Sequence, residues 1–143
     1  MPRSINDIQQ EIIDEFALLE GDREETLFYL MELGERMPPM DDAKKTEDNI
    51  VKGCQSKVWL VPHQHENRLD FEADSNTEIT KGLLSLLVRV FNGQPADDIL
   101  NADLYFIEKI GMSRFIGTQR SNGFAAMIKQ MKLFALVSVK QQQ

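Results

Sequence analysis

One cysteine in 143 residues, Cys54, has no partner within the chain, so no internal disulfide can form and a disulfide-stapled secreted fold is excluded. The same scarcity excludes a cysteine-only metal or iron–sulfur site built by one chain, because such sites need several thiolates. No run approaches the roughly 20 apolar residues of a membrane span. The opening residues, "MPRSINDIQQEIIDE", bring acids early and no apolar signal core, which reads as a cytoplasmic or mature chain in a reducing compartment. Positive charge is in deficit too: 16 basic against 23 acidic residues leave a net charge of −7. That balance argues against electrostatic capture by nucleic acid or anionic lipid. It leaves room for a local basic patch or for a more basic protein partner.

What remains is an ordinary globular composition, 42% hydrophobic and 27% charged. The length fits one domain over residues 1–143 with one hydrophobic core. There is no internal repeat and no low-complexity linker.

The spacing predicts a helix over 4–20. Ser4 is its N-cap with Asp7 three residues on, and Ile5, Ile8, Ile12, Phe16 and Leu19 recur at helical period. Gly21 suits the position just past its end. Asp22 and Glu25 open a second helix with Leu27, Leu30 and Met31 on its apolar face, ended by Gly34 and Pro38-Pro39. Residues 40–49 read as a polar loop, most simply a solvated connection, with docking a partner as the alternative.

The period then shortens. "NIVKG", "SKVWLVPHQH" and "RLDFEAD" predict three consecutive strands in an antiparallel meander, with Glu66-Asn67 as the second turn. Pro62 marks an edge or a bulge. Cys54 falls in the turn between the first two strands. A capping box of Ser75 and Glu78 starts the clearest helix, whose stripe is Ile79, Leu83, Leu86, Leu87 and Val90. Gly93 and Pro95 close it. Two short helical pieces, "ADDIL" and "DLYFIEKI", precede a last helix from about Thr118 to about Val137. Phe124, Met127, Ile128, Met131 and Phe134 form its inner face, and the tail from about 138 is frayed. Helices, then strands, then helices indicate α+β, with one three-stranded antiparallel sheet and helices packed on it.

Four features carry possible chemistry. Cys54 sits beside Lys52 and Lys57, and Gly53 removes a side chain next to the sulfur and permits an unusual backbone angle. It is either a reactive thiol or a small inert packing residue. His63 and His65 share one strand face and could start a metal site with Cys54, or simply be a solvated strand end. Arg120 and Asn122 stand in the first turn of the last helix, an anion-friendly place. Arginine there opposes the helix dipole, so Arg120 is either a plain surface residue or serves a site. Met127 and Met131 are most simply core.

The segments "ELGERMPPM", "NIVKGCQSKVWL", "FEADSNTEITKGLLSLLVRVFNGQPADDIL" and "QRSNGFAAMIKQM", in this order and spacing, resemble the SufE/CsdE-type sulfur acceptor proteins of iron–sulfur cluster biogenesis. The chain departs from that pattern at "DSNTE" and "PHQHEN", neither of which is the sulfur position. The resemblance implies an α+β fold similar to the IscU kind of scaffold. It implies that Cys54 accepts sulfur as a persulfide from a pyridoxal-phosphate cysteine desulfurase of the SufS/CsdA type and passes it to an iron–sulfur scaffold or another acceptor. Arg120 is then a supporting site residue, and Gly53, Gln55 and Ser56 support the loop. It implies a desulfurase activator rather than a stand-alone enzyme, with no cofactor or metal of its own, as monomer or weak homodimer. A non-catalytic interaction module with an inert Cys54 is the alternative.

Overall fold

The computed structural model describes residues 3–141. Helix α1 (Ile5–Ala17) opens with the expected capping box between Ser4 and Asp7. It buries Ile5, Ile8, Ile12 and Phe16. It ends three residues earlier than its periodicity implies, because Glu20 and Gly21 take positive φ and turn the chain. Helix α2 (Arg23–Arg36) starts where Asp22 accepts the Glu25 amide. Gly34 does not end it. This glycine is buried inside the helix, where an added Cβ would lie 2.7 Å from Lys81 Cβ and 2.8 Å from the Gly82 nitrogen. The close approach of two helices, and not a turn, explains that glycine.

Residues 42–44 and 47–49 form two short 3-10 turns. Strands β1 (Val58–His65) and β2 (Arg68–Ser75) form a regular antiparallel hairpin around 66–67. Leu69, Phe71 and Ala73 are buried on one face of β2, as the alternation requires. Helix α3 (Glu78–Phe91) follows, then strand β3 (Gln94–Pro95), helices α4 (Ala96–Asn101) and α5 (Phe106–Ile110), and helix α6 (Met112–Gln141). The sheet order is β1-β2-β3, antiparallel throughout. Pro62 therefore lies on an edge strand, where a missing N–H is tolerated.

The sheet has three strands, but the third is not the one expected. "NIVKG" contributes only an isolated bridge from Ile50 to Trp59, and the meander is replaced by a hairpin plus Gln94–Pro95. The physical reason is that the chain turns at once after Val51, whereas Gly93 and Ala96 donate their amides to Leu69 and Asn67 beside β2. The Ser75–Glu78 capping box is absent as well. Ser75 ends β2 and donates its hydroxyl to the Lys57 carbonyl at 2.8 Å, and Thr77 is the N-cap. The tail is helical to Gln141 rather than frayed from 138, and residues 142–143 lie outside the described residues.

Helix α3 is buried on most sides, through Leu83, Leu84, Leu86, Leu87, Val90 and Phe91. It packs against α1, α2, α6 and the sheet, so it is the axis of the core. Helix α6 is interrupted at Gly117, which has φ 81° and ψ 172°; the expected helix start near Thr118 follows this break. Phe124, Met127 and Met131 are buried on its inner face, while Ile128 and Phe134 are partly buried against the same core.

One buried ionic cluster fastens the 40–49 connection to this core. Asp74, on β2, is only 3% exposed. It accepts from the Ser75 and Met40 amides and pairs with Lys45 at 3.2 Å and Lys81 at 3.4 Å. Burial alone would raise its carboxyl; the Ser75 amide, Lys45, the Met40 amide and Lys81 together outweigh this and hold it below the usual range. A depressed folded-state value stabilises the protein above the unfolded value of about 4 and is lost as pH falls through the folded one. Asp74→Asn is expected to destabilise by about 2–3 kcal/mol at pH 7. In urea titrations at pH 7, 4 and 3 the gap to wild type should narrow as pH falls; a constant gap would count against the charge as its source.

Candidate functional site

Cys54 lies in the loop between the Ile50 bridge and β1. The base of the loop is fixed on both sides. Val51 N–H donates to the Val58 carbonyl at 2.8 Å. Lys57 N–H donates to Asn76 Oδ1 at 3.0 Å, and Asn76 N–H returns to the Lys57 carbonyl at 3.2 Å. Ser56 and Thr77 hydroxyls lie 2.9 Å apart. Beyond the loop, Val58 and Leu60 are buried, and the Lys45 ammonium sits 5.6 Å over the Trp59 ring. The pattern predicts Cys54 between two strands; the anchors instead join a bridge, β1 and the start of α3.

The tip of the loop presses on α6. Gly53 has φ +96°, a region that glycine adopts without strain. A Cβ there would also lie 3.2 Å from Ala126 Cβ. The Cys54 thiol donates to the Gly123 carbonyl at 3.4 Å. Gly123 presents no side chain to the sulfur, so the loop lies directly on the helix; a Cβ there would touch Sγ at 3.4 Å.

Around the sulfur is a cavity of about 130 Å³, lined by Cys54, Gln55, Ser56, Thr77, Thr80 and Arg120 among others. The fold thus brings Cys54, Gln55, Ser56 and Arg120 to one place, although Arg120 is 66 positions away in the chain. Thr77 and Thr80 belong to the start of α3, and Gln119 and Arg120 to the first turn after the Gly117 break. Two helix starts, whose free N–H groups favour negative charge, therefore border the cavity. Thr77, Thr80 and Gly123 were missed by sequence reasoning. Only the glycine inside a helical pattern could have signalled a close approach.

Cys54 is half-buried, and burial pushes its thiol up from the ordinary value. The resting residue is thus mainly a thiol at neutral pH. Alkylation of free Cys54 by iodoacetamide should rise about tenfold per pH unit, with a midpoint above the roughly 8.5 of free cysteine. A midpoint at or below that value would contradict the resting geometry.

The structure does not bring His63 and His65 to the cysteine. Their rings pair across the hairpin with Glu72 and Asp70. Among the described residues no group of three potential ligands could hold a metal, so the Cys54–His63–His65 metal site is not formed. No helix is long and apolar enough to cross a membrane, again among the described residues.

Comparison with known proteins agrees with this architecture. The solution structure of a hypothetical protein from Thermus thermophilus superposes with a TM-score of 0.76, covering 93% of this chain and 96% of that one, at 16% identity. An uncharacterised SufE-like protein of Rhizobium etli is 39% identical over 127 residues, covering 85% of each chain. A second, from Rhizobium meliloti, is 37% identical over the same length and covers 85% of this chain and 90% of its own. The family model described as SufE, Fe-S metabolism associated domain, matches residues 10–135. A match over this length, with relatives above one-third identity, means that the chain belongs to the SufE family, whose domain is associated with iron–sulfur metabolism.

Proposed function

We propose that this protein is a cytoplasmic sulfur acceptor and carrier, in which Cys54 takes a sulfur atom from the persulfide of a cysteine desulfurase, stimulates that enzyme, and passes the sulfur to an iron–sulfur scaffold or another acceptor. The observation that carries the reading is the only thiol of the chain standing against a small cavity that Arg120 and two helix starts border. Arg120 and Gln119 come from one helix, Thr77 and Thr80 from another. The cavity offers an anionic sulfur positive charge and hydrogen-bond donors.

The step is an exchange at sulfur. Cys54 loses its proton to solvent or to the partner, and the thiolate attacks the outer sulfur of the donor persulfide. The donor S–S bond breaks, the donor cysteine leaves as thiolate, and a new S–S bond on Cys54 carries the transferred atom. No oxidant or reductant is consumed. One thiol is enough for a carrier, and the pyridoxal phosphate belongs to the desulfurase.

A thiol held on Gly123 needs access. With the loop anchored at Val51 and Lys57, residues 53–56 can swing out without unfolding the core, giving up the Cys54–Gly123 and Ser56–Thr77 hydrogen bonds. Docking of the desulfurase trades the weak S–H contact for exposure. Unchanged alkylation of Cys54 on desulfurase binding would count against this motion.

Arg120 is a positioning residue in this scheme. Arg120→Ala should slow sulfur acceptance about tenfold with little change in thermal stability, and Arg120→Lys should recover part of the rate. Single-turnover transfer followed by mass spectrometry measures this; a wild-type rate in Arg120→Ala would remove Arg120 from the site.

A second reading, an interaction module with an inert cysteine, draws on the same burial and hydrogen bond that raise the resting thiol. It predicts desulfurase binding with no sulfur found on Cys54.

A further inference from the structure

The charge of this chain is divided along its length. All 23 acids and ten of the 16 cations lie in residues 1–108, a net charge of −13. Residues 109–143 hold the other six cations and no acid, a net charge of +6. A second acid-free stretch, 49–65, carries Lys52 and Lys57 between Asp48 and Glu66. The fold places these two stretches against each other. The Cys54 loop belongs to one and α6 to the other, and they meet at Gly123 and Ala126.

The exposed surface around the sulfur is therefore cationic on a protein of net −7. Lys52 and Lys57 bracket the loop and are exposed. Arg120 lines the cavity. Lys129 is exposed one turn beyond Ala126, the residue on which Gly53 rests. Glu78 is an acid in the first turn of α3, the helix whose start lines the cavity with Thr77 and Thr80. Among the described residues none of Lys52, Lys57, Arg120 and Lys129 forms an ion pair, and neither do Arg23, Arg68, Lys109, Arg114, Lys132 and Lys140; what distinguishes the four is that they surround the Cys54 loop. Four cations without carboxylate partners grouped around one mouth, on a molecule of net negative charge, both attract and orient an approaching partner.

We infer that the Cys54 face is a docking surface for an acidic protein surface surrounding the sulfur donor's persulfide, with Lys52, Lys57 and Lys129 as the rim that steers and aligns it. The inference rests on the sulfur-acceptor reading and adds the charge of the partner's docking site. It reverses what the net charge of the whole chain implies, a basic partner. The acidic remainder of the molecule would repel the same surface and so disfavour wrong orientations. Nucleic acid fits less well, since the rim is short and the rest of the protein repels a polyanion.

The test is the triple variant Lys52→Glu/Lys57→Glu/Lys129→Glu, none of which bears on the sulfur itself. With a cysteine desulfurase and cysteine, the concentration of this protein giving half-maximal stimulation should rise about tenfold at low salt, with the maximal stimulation unchanged. The difference should fade towards 1 M salt, where the screening length is about 3 Å. Lys140→Glu, 20 residues and about 30 Å beyond Arg120 along α6, should behave as wild type. An unchanged half-saturating concentration in the triple variant, or equal salt dependence of variant and wild type, would overturn the docking surface alone. Tight binding of a DNA duplex by the wild type, lost in the triple variant, would overturn it in favour of nucleic acid. If wild-type Cys54 takes no sulfur at any salt, the sulfur-acceptor reading fails and the docking inference falls with it.

Discussion

Cys54→Ser is expected to abolish stimulation of the desulfurase and all sulfur acceptance, while urea unfolding stays within about 1 kcal/mol of wild type. Loss of function without loss of fold follows from where the residue sits. Its side chain rests half-buried on α6 at the mouth of a cavity, packed against the edge of the core and not within it. Its one hydrogen bond is a thiol-to-carbonyl contact at 3.4 Å, which a hydroxyl can replace. The chemistry admits no such replacement. A hydroxyl at this place cannot store sulfane sulfur, and the chain has no second thiol to substitute for it. The two measurements separate the carrier from the interaction module. A Cys54→Ser protein that stimulates the desulfurase as fully as wild type would mean that the stimulation comes from binding alone.

Gly82→Ala should have the largest effect on stability. Gly82 lies on α3 where α2 crosses it, and an added Cβ would stand 2.1 Å from the Leu30 carbonyl oxygen and 2.6 Å from its carbon. Both are backbone atoms, so no side chain can move aside. The two helices must separate, and Leu30, fully buried at the crossing, loses its packing. We expect a loss of about 3 kcal/mol or more, read as the shift of the urea midpoint. Ala has the better helix propensity by about 1 kcal/mol, which lessens this loss without cancelling it. If the variant is too unstable to purify, Gly34→Ala, which meets the Lys81 and Gly82 side of the same crossing at 2.7–2.8 Å, should show the same direction. Wild-type stability in both would mean that the helices do not cross this closely.

The same glycines show what the sequence could and could not convey. Gly34 followed by two prolines reads as a stop signal, because local pattern cannot tell a glycine that turns the chain from one that admits a neighbour. Gln94–Pro95 gave no strand signal at all. Two residues have no periodicity, and the flanking "NGQP" reads as a turn. "NIVKG" had strand composition, yet only Ile50 pairs, since the chain turns at Lys52-Gly53. The Ser75 hydroxyl was expected to cap a helix, but the sheet aims it at the Lys57 carbonyl. Where the pattern was long and periodic it was legible: the inner faces of α1, α3 and α6, the hairpin at 66–67, and the edge position of Pro62.

For the site, the residues with unusual local chemistry were legible and their surroundings were not. Cys54 stood out as the single thiol beside a glycine, and Arg120 as a cation at a helix start that opposes the dipole. Thr77 and Thr80 carry no local mark of their role, and Gly123 only that of a glycine inside a helical pattern. They join the site because α3 and α6 pack on one core, which is a long-range outcome. The cationic rim is different. It is visible in the chain as two stretches without acids, but its meaning depends on the fold that sets them side by side.

Every role proposed for this site depends on Cys54 receiving sulfur. Intact-protein and peptide mass spectrometry after incubation with a cysteine desulfurase and cysteine tests it most directly. The expected result is a gain of one sulfur atom, about 32 Da, localised to the peptide carrying Cys54 and removed by a thiol reductant. An unmodified Cys54 beside a turning-over desulfurase would contradict it.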